Sequence, residues 1–469
     1  MKIVYISLFR EGQGGGEGRV AHELAYYSAF EHDVVLICPG DKTGVIVRDS
    51  GLRIYGIRSA GSEEYTMPAL SGKKVRLIFD FLEEFQPDIV HAHEPASLGL
   101  IGQVWAKMHL VPFVHTSHIL PEKIFNFGAA DALAIKALQS PVSEAITRRA
   151  LKNFYGNCDA IIALNHSAKK AFREFGYQGR IIIIPNGRDL KKYTRLNFAD
   201  PEESTKKLTF IGHISDRKNQ KFLVDAMNYL PKEIQLQLIG KDLDPRYAKK
   251  LKTRCESQNL NVVFAGQTPH EDIPRILEST HIFVSASKME VQSLVVIEAL
   301  ASGTPVVGLA NETIDELIDG RVGIRLSADA TPHEFAEQIE RVFALSVEDY
   351  RLLCAQAREK VSHLNWGNVI EKTVVAYQAL KEEKHATRDD SDILADLVDS
   401  LPSGEFKEVL EEQLHELQAK TGLLTRLRET FSPRQRWKAI KRVKGSTWIL
   451  VGVTILVSLV GYLLGKKNN

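Results

Sequence analysis

Two glutamates raise the first chemical question. Glu290 and Glu298 stand eight positions apart in SASKMEVQSLVVIEALASGTPVVG (285–308). Glu290 falls in a loop after the apolar run HIFVSAS (281–287), where open α/β sheets bind ligands at the carboxyl ends of their strands. Each carboxylate can accept paired hydrogen bonds from a vicinal diol, so one could hold a sugar and the other a ribose. An isolated pair of this kind is ordinarily two solvated side chains. Glu298 differs because it interrupts LVVIEALA, and a carboxylate on a buried helix face needs a partner. The loop GQGGGEGR (12–19) is the second candidate: glycines let backbone amides approach an anion, and a following helix N-terminus adds positive charge. It fails the dinucleotide fingerprint, since counting GxGxxG from Gly12 and Gly14 puts Glu17 at the third glycine position. A glycine loop without further context often only turns the chain. His91, His93, His115 and His118 form the third group. Considered alone they read as structural, and the HAH pair at 91–93 is too sparse for a metal ligand set.

The elements that must position these residues read as α/β. MKIVYISLF is an apolar run too short for a secretory signal and is expected to be a buried first strand, followed by the glycine loop and a helix. VVLIC (34–38), IVHAH (89–93), PFVHT (112–116), AIIAL (160–164) and IIIIP (181–185) are short apolar runs with helical patterns between them. That is the rhythm of a parallel sheet covered on both faces. The series restarts with LTFIG (208–212), IQLQLIG (234–240), NVVFAG (261–266), HIFVSAS and TPVVGL (304–309). Two doubly wound domains are therefore expected, with a boundary in the polar stretch around 191–207.

Composition agrees and excludes several classes. The 469 residues are 44% apolar and 25% charged, with a formal charge of +1, so a polyelectrolyte partner such as nucleic acid is not favoured. Cys38, Cys158, Cys255 and Cys354 are scattered, which argues against a disulfide framework or zinc knuckle and fits a reducing compartment. The neutral total hides a gradient. Residues 382–431 carry 13 acidic and 6 basic residues, whereas 432–469 carry 8 basic residues and no acidic one. An amphipathic helix is expected over 405–430, and 447–464 (TWILVGVTILVSLVGYLL) is 18 residues without a charge. At about 1.5 Å per residue that stretch is at the short end for crossing a bilayer. Trp448 and Tyr462 near its ends and lysines on both sides suit a single membrane span. Six basic residues precede it and two follow, so the positive-inside bias puts the bulk of the chain on the cytoplasmic face, with 434–444 favouring anionic headgroups.

The spacing Glu290-x7-Glu298 followed by EALASGTPVV resembles the signature of the retaining glycosyltransferases of family 4, which have the GT-B fold. GGGEGRVAHELA resembles that family's N-terminal glycine loop, and QPDIVHAH (86–93) resembles its first-domain strand end. IIIIPNGRD (181–189) is similar to its domain-linking PNG motif, TFIGHISDRKNQKFLVDAM (209–227) to its phosphate-binding turn, and NWGNVIEKTVVAYQAL to its closing helix. The resemblance spans roughly 1–384 and implies two Rossmann-like domains facing a cleft. Residues 1–190 would form the acceptor domain and 205–365 the nucleotide-sugar domain. A closing helix would follow at 366–384, then an acidic helical linker at 385–431, a basic juxtamembrane segment at 432–446 and the transmembrane helix at 447–464.

The same resemblance implies roles. Glu298 would bind the nucleotide ribose and Glu290 the donor sugar's hydroxyls, with the backbone of Val291, Gln292, Ser293 and Leu294 near sugar and phosphate. Lys218, with Arg217 beside it, would hold the diphosphate and stabilise it as it departs. Gly15 and Gly16 would bring amides to the same group, and His118 would stand beside the transferred sugar. The family's arginine after FIG is His213 here, and its glycine-aromatic-glycine is Val291-Gln292-Ser293, closer to lipid-directed members. The expected reaction is hexosyl transfer from a UDP- or GDP-linked sugar, with retention and without cofactor or metal, to a membrane lipid or lipid-linked glycan. A GT-B nucleotide-sugar epimerase and a membrane scaffold with a degenerate transferase domain are the alternatives.

Overall fold

A computed structural model of the chain describes residues 1–61, 66–68, 70–122, 141–193, 198–199, 202–384 and Glu411. Its apolar runs form two sheets. The first comprises β1 (Lys2–Ile6), β2 (Asp33–Gly40), β3 (Gly44–Val47), β4 (Arg53–Gly61), β5 (Thr66–Pro68), β6 (Ile89–Ala92), β7 (Phe113–Ser117), β8 (Ala160–Ala163) and β9 (Ile181–Ile183). Their order is β3-β4-β2-β1-β6-β7-β8-β9, with β5 on β4. All pairings are parallel except β3–β4 and β4–β5. Helices α1 (Gly15–Ser28), α2 (Gly72–Phe85), α3 (Ser97–Met108), α4 (Pro141–Gly156) and α5 (His166–Glu174) supply the crossovers.

The second sheet holds β10 (Lys206–Ile211), β11 (Ile234–Ile239), β12 (Val262–Gly266), β13 (Ile282–Ser285), β14 (Val306–Leu309) and β15 (Gly323–Leu326). It is wholly parallel in the order β12-β11-β10-β13-β14-β15, which reverses direction between β10 and β13. That reversal is the switch point at which doubly wound sheets bind ligands. Around it run α6 (Gln220–Ala226), α7 (Pro245–Ser257), α8 (Ile273–Glu278), α9 (Leu294–Ala301), α10 (Glu312–Leu317), α11 (Pro332–Phe343) and α12 (Val347–Val361), and α13 (Trp366–Lys384) closes the described chain. Period-two patterning gives each face its own core. Ile282 and Val284 pack with Leu208, Phe210 and Phe335 on one face, while Phe283 packs with Ile211, Ile297 and Val361 on the other.

The chain divides into two units, Met1–Ile184 with the chain from Ile370, and Pro185–Val369. The division falls inside α13. From Ile370 onward that helix is tied to the first unit: Tyr377 meets His91 at 2.5 Å, Lys381 Nζ donates to Asp88 at 2.5 Å, and Arg180 donates to Glu383 at 2.7 Å.

Four strands go beyond the sequence reading: β3, β4, β5 and β15. The runs of β4 and β15 are broken by arginine or glycine, as in RIYGIRSAG and GIRL, β5 has only three residues, and every residue of β3 is exposed. A strand solvated on one face or at an edge does not show the continuous apolar run of a buried parallel strand. Apart from Glu411, the expected helix at 405–430, the basic stretch 434–444 and the span 447–464 lie outside the described residues. Among the described residues no helix is long and apolar enough to cross a membrane.

Candidate active site

In the second unit the site is built on loops at the carboxyl ends of β10, β11 and β13. Gly212 follows β10, and Gly240 follows β11 with φ +147°; a Cβ on Gly240 would lie 2.1 Å from the Gly212 carbonyl oxygen. Only glycine permits that approach. The buried Gln220 fastens the turn beyond, donating to the His213 carbonyl at 2.8 Å and accepting from the Ser215 amide at 3.3 Å. The turn ends with Asp216, Arg217 and Lys218 on one turn of 3₁₀ helix. The Arg217 carbonyl accepts from the Lys288 amide at 3.0 Å, which ties this turn to the loop after β13.

That loop carries Glu290, whose carboxylate forms an ion pair with Lys218. Two of the residues singled out from sequence thus meet across 72 positions of chain, with side chains 13% and 14% exposed. Such enclosure strengthens a charge–charge interaction relative to one in open water. The loop is pinned from α10. Asn311 donates to the Ser287 carbonyl at 2.9 Å, and the Thr313 hydroxyl accepts from the Ser293 amide at 2.8 Å and donates to the Glu290 carbonyl at 3.1 Å. Val291, Gln292, Ser293 and Leu294 are all buried, and Gln292 Oε1 accepts from the Asn186 amide at 2.6 Å.

Glu298 lies on α9 with no solvent exposure, and its partner is Arg188, 2% exposed. The same guanidinium donates from Nη2 to His270 Nε2 at 2.8 Å. The Tyr193 hydroxyl lies 3.1 Å from that nitrogen, and Glu298 Oε1 lies 3.5 Å from it. Burial pushes the Tyr193 phenol well up, with the Glu298 charge adding to the rise. The sequence predicts that Glu298 has a buried partner without identifying it. Arg188 stood in the quoted PNGRD, but Tyr193 and His270 gave no signal, being 77 positions apart and meeting only through folding.

The first unit holds Gly15, Gly16 and His118. Gly14 caps α1 in the left-handed conformation with φ +73°, and Gly15 and Gly16 open the helix exposed to solvent. Glu17, in its first turn, and Glu94, just beyond β6, are electrostatically linked: burial raises both, Glu17 to about 8 and Glu94 well above the carboxylate range. Glu94 is held by the Leu8 amide at 2.6 Å and the Ser7 hydroxyl at 3.4 Å. His118 follows β7, and its Nε2 lies 2.9 Å from His93 Nδ1. The His91 and His93 rings stack at 4.7 Å, and His91 is clamped between Tyr377 and Thr116. Burial lowers all four histidines, His115 and His118 to about 3. Among the described residues no group of three or more His, Cys, Asp or Glu side chains is placed to hold a metal ion.

Residues 14–192 match the family model for Glycosyltransferase Family 4, and residues 205–344 match that for Glycosyl transferases group 1. The chain belongs to the family 4 glycosyltransferases. Among relatives of this family 4 member, an alpha-monoglucosyldiacylglycerol synthase of Streptococcus pneumoniae is 25% identical over 52% of this chain and 56% of its own length. A GDP-mannose-dependent alpha-(1-6)-phosphatidylinositol dimannoside mannosyltransferase of Mycobacterium tuberculosis is 26% identical over 77% of this chain and 92% of its own. The chain thus spans little more than half of the first relative and nearly all of the second. The fold is similar to that of sucrose-phosphate synthase from Thermosynechococcus elongatus, with TM-score 0.64, 21% identity and coverage of 81% and 99%. It is also similar to Anabaena HepE in complex with UDP, with TM-score 0.63, 17% identity and coverage of 81% and 100%. This family 4 member has the GT-B fold of two parallel-sheet domains.

Proposed function

We propose that this chain is a retaining hexosyltransferase that moves a sugar from a UDP- or GDP-linked donor to a membrane lipid or lipid-linked glycan. The observation that carries the reading is the meeting of Lys218 and Glu290 at the carboxyl edge of the second sheet. A cation able to neutralise a departing diphosphate is set beside a carboxylate able to hold sugar hydroxyls. In the reaction the bond from the anomeric carbon to the diphosphate oxygen breaks. The acceptor oxygen bonds to the same face of that carbon, and its proton passes to the leaving phosphate. Lys218, with Arg217 adjacent, stabilises the charge that develops there. Glu298 takes the ribose, the Val291–Leu294 backbone lies along sugar and phosphate, Gly15 and Gly16 bring amides to the diphosphate, and His118 serves the transferred sugar.

The lipid acceptor is supported by the names of two relatives, an alpha-monoglucosyldiacylglycerol synthase and a phosphatidylinositol dimannoside mannosyltransferase. The composition of 434–464 supports a single C-terminal span with an anionic membrane surface beside it and the catalytic domains on the cytoplasmic face. In this scheme 1–190 receives acceptor, 205–365 binds donor, 366–384 closes, and 385–446 leads to the anchor at 447–464.

The test is a panel of UDP- and GDP-sugars given to the detergent-solubilised full chain with total lipid extract, read by mass spectrometry. A lipid gaining one hexose mass is the expected result. An epimerised donor with unchanged lipids, or no turnover of any donor, overturns the reading.

A further inference from the structure

His93 lies just beyond β6 and is 1% exposed, and its Nδ1 lies 2.9 Å from His118 Nε2 with the two rings 14° from parallel. One of these two nitrogens must carry the shared proton. The choice is fixed by the other end of His93, whose Nε2 is buried with no hydrogen-bond partner. If His118 donated, His93 would carry its proton on Nε2 and bury an unsatisfied N–H, an arrangement that folded proteins rarely tolerate. His115 in the same cluster shows how such a site resolves. Its Nδ1 lies 3.1 Å from the Ala92 carbonyl, so Nδ1 must donate, and its own buried, unpartnered Nε2 is the bare nitrogen.

We infer that His93 is the positioning residue for His118: it donates from Nδ1 to His118 Nε2, so that His118 carries its proton on Nδ1 and offers that N–H as a donor. The scaffold makes the orientation rigid. His93 stacks on His91 at 4.7 Å, and His91 is held on Nδ1 by Tyr377 at 2.5 Å and on Nε2 by Thr116 at 2.7 Å. A fixed N–H directed at a sugar hydroxyl or ring oxygen accelerates a reaction when the interaction strengthens in the transition state. The functional half of this inference rests on the transferase reading, in which His118 stands beside the transferred sugar; the tautomer does not.

The test uses the full chain in detergent, labelled with ¹⁵N-histidine, with ring-nitrogen spectra recorded at neutral pH and His118 assigned by its loss in His118→Gln. The expected spectrum shows His118 as the Nδ1–H tautomer. His93→Leu should shift it toward Nε2–H and lower kcat at least tenfold while donor KM changes less than twofold. His93→Asn, whose amide can still donate at the Nδ1 position, should restore the tautomer and most of kcat. His118 found as Nε2–H in the unsubstituted chain, or tautomer and kcat both unmoved by His93→Leu, overturns the inference. Failure of the transferase reading would look different: no donor would be turned over by the unsubstituted chain, while the tautomer would still report on His93. If His93→Leu fails to fold, the unsubstituted spectrum and His93→Asn still decide the question.

Discussion

At the scale of single residues, the donor half is two ion pairs that sit in different surroundings. Lys218 and Glu290 retain some exposure, whereas Arg188 and Glu298 are essentially sealed from solvent. Lys218→Ala should therefore lower turnover more than it weakens binding of the free nucleoside, because its charge serves the departing diphosphate. Steady-state kinetics beside nucleoside calorimetry checks this, and an unchanged kcat would move the role to Arg217. Glu298→Gln has two effects that must be separated. A charge-assisted hydrogen bond to ribose is worth about 1.5–3 kcal/mol. Removing one member of a buried pair costs the fold about 3–5 kcal/mol, because the remaining guanidinium is left uncompensated. Nucleotide affinity is thus to be compared in protein shown to be folded, with Arg188→Met/Glu298→Gln as the companion. The double variant should regain melting temperature but not affinity. Recovery of both would leave Glu298 a purely structural role. What was legible from the residues was chemistry within one stretch of chain, a glutamate after a strand and a glutamate breaking an apolar helix, whereas Lys218 was marked only by the resemblance to the family. The partners of Glu298 were not, since Arg188 reaches it across 110 positions and nothing in PNGRD marks a guanidinium as buried.

At the scale of elements, short motifs hold the site through their backbone. Asn311 caps α10 by accepting from the Thr313 and Ile314 amides at 3.0 Å, and its amide nitrogen reaches back to the Ser287 carbonyl. Replacing a cap of this kind by alanine costs about 1 kcal/mol. Asn311→Ala should therefore lower the melting temperature by a few degrees and raise donor KM, because the loop that presents Glu290 loses its tether. A changed melting temperature with unaltered KM would show that α10 supports the fold alone. The buried parallel strands were legible because covering both faces forces continuous apolar runs such as VVLIC and AIIAL. Strand β4 was not, because Arg53, Gly56 and Arg58 interrupt its apolar residues, and β3 was not, because every residue of it is exposed. Helix α13 was expected from its resemblance to the family's closing helix, but its contacts with His91 and Asp88 belong to the fold rather than to the helix.

At the scale of the whole molecule, the titrating groups of the first unit set a pH window. His91, His93, His115 and His118 titrate below their unfolded value of 6.5, His115 and His118 at about 3, so below 6.5 the folded chain binds fewer protons than the unfolded one. Their contribution is complete above 6.5 and is lost as pH falls towards 3, at most about 1.4 kcal/mol per unit for each group. Glu17 acts in the opposite sense. Its folded value near 8 lies above the unfolded 4.5, so its contribution is complete below 4.5 and is lost as pH rises to 8. Glu94, shifted in the same direction, adds to that loss. Four histidines outweigh two carboxyls below 6.5, and only the carboxyls change above it. The urea midpoint should therefore peak near pH 6.5 and fall on both sides, and a midpoint that is flat from pH 4 to 8 would contradict this balance.

Transfer with retention to a lipid leaves its record in the anomeric configuration of the product. The full chain is incubated with its α-linked nucleotide sugar and lipid acceptor, and the glycolipid is examined by proton NMR at the anomeric position. An α-glycoside is expected, because the acceptor bonds to the face that the diphosphate leaves. A β-glycoside would contradict it, and so would a donor consumed with no new glycolipid.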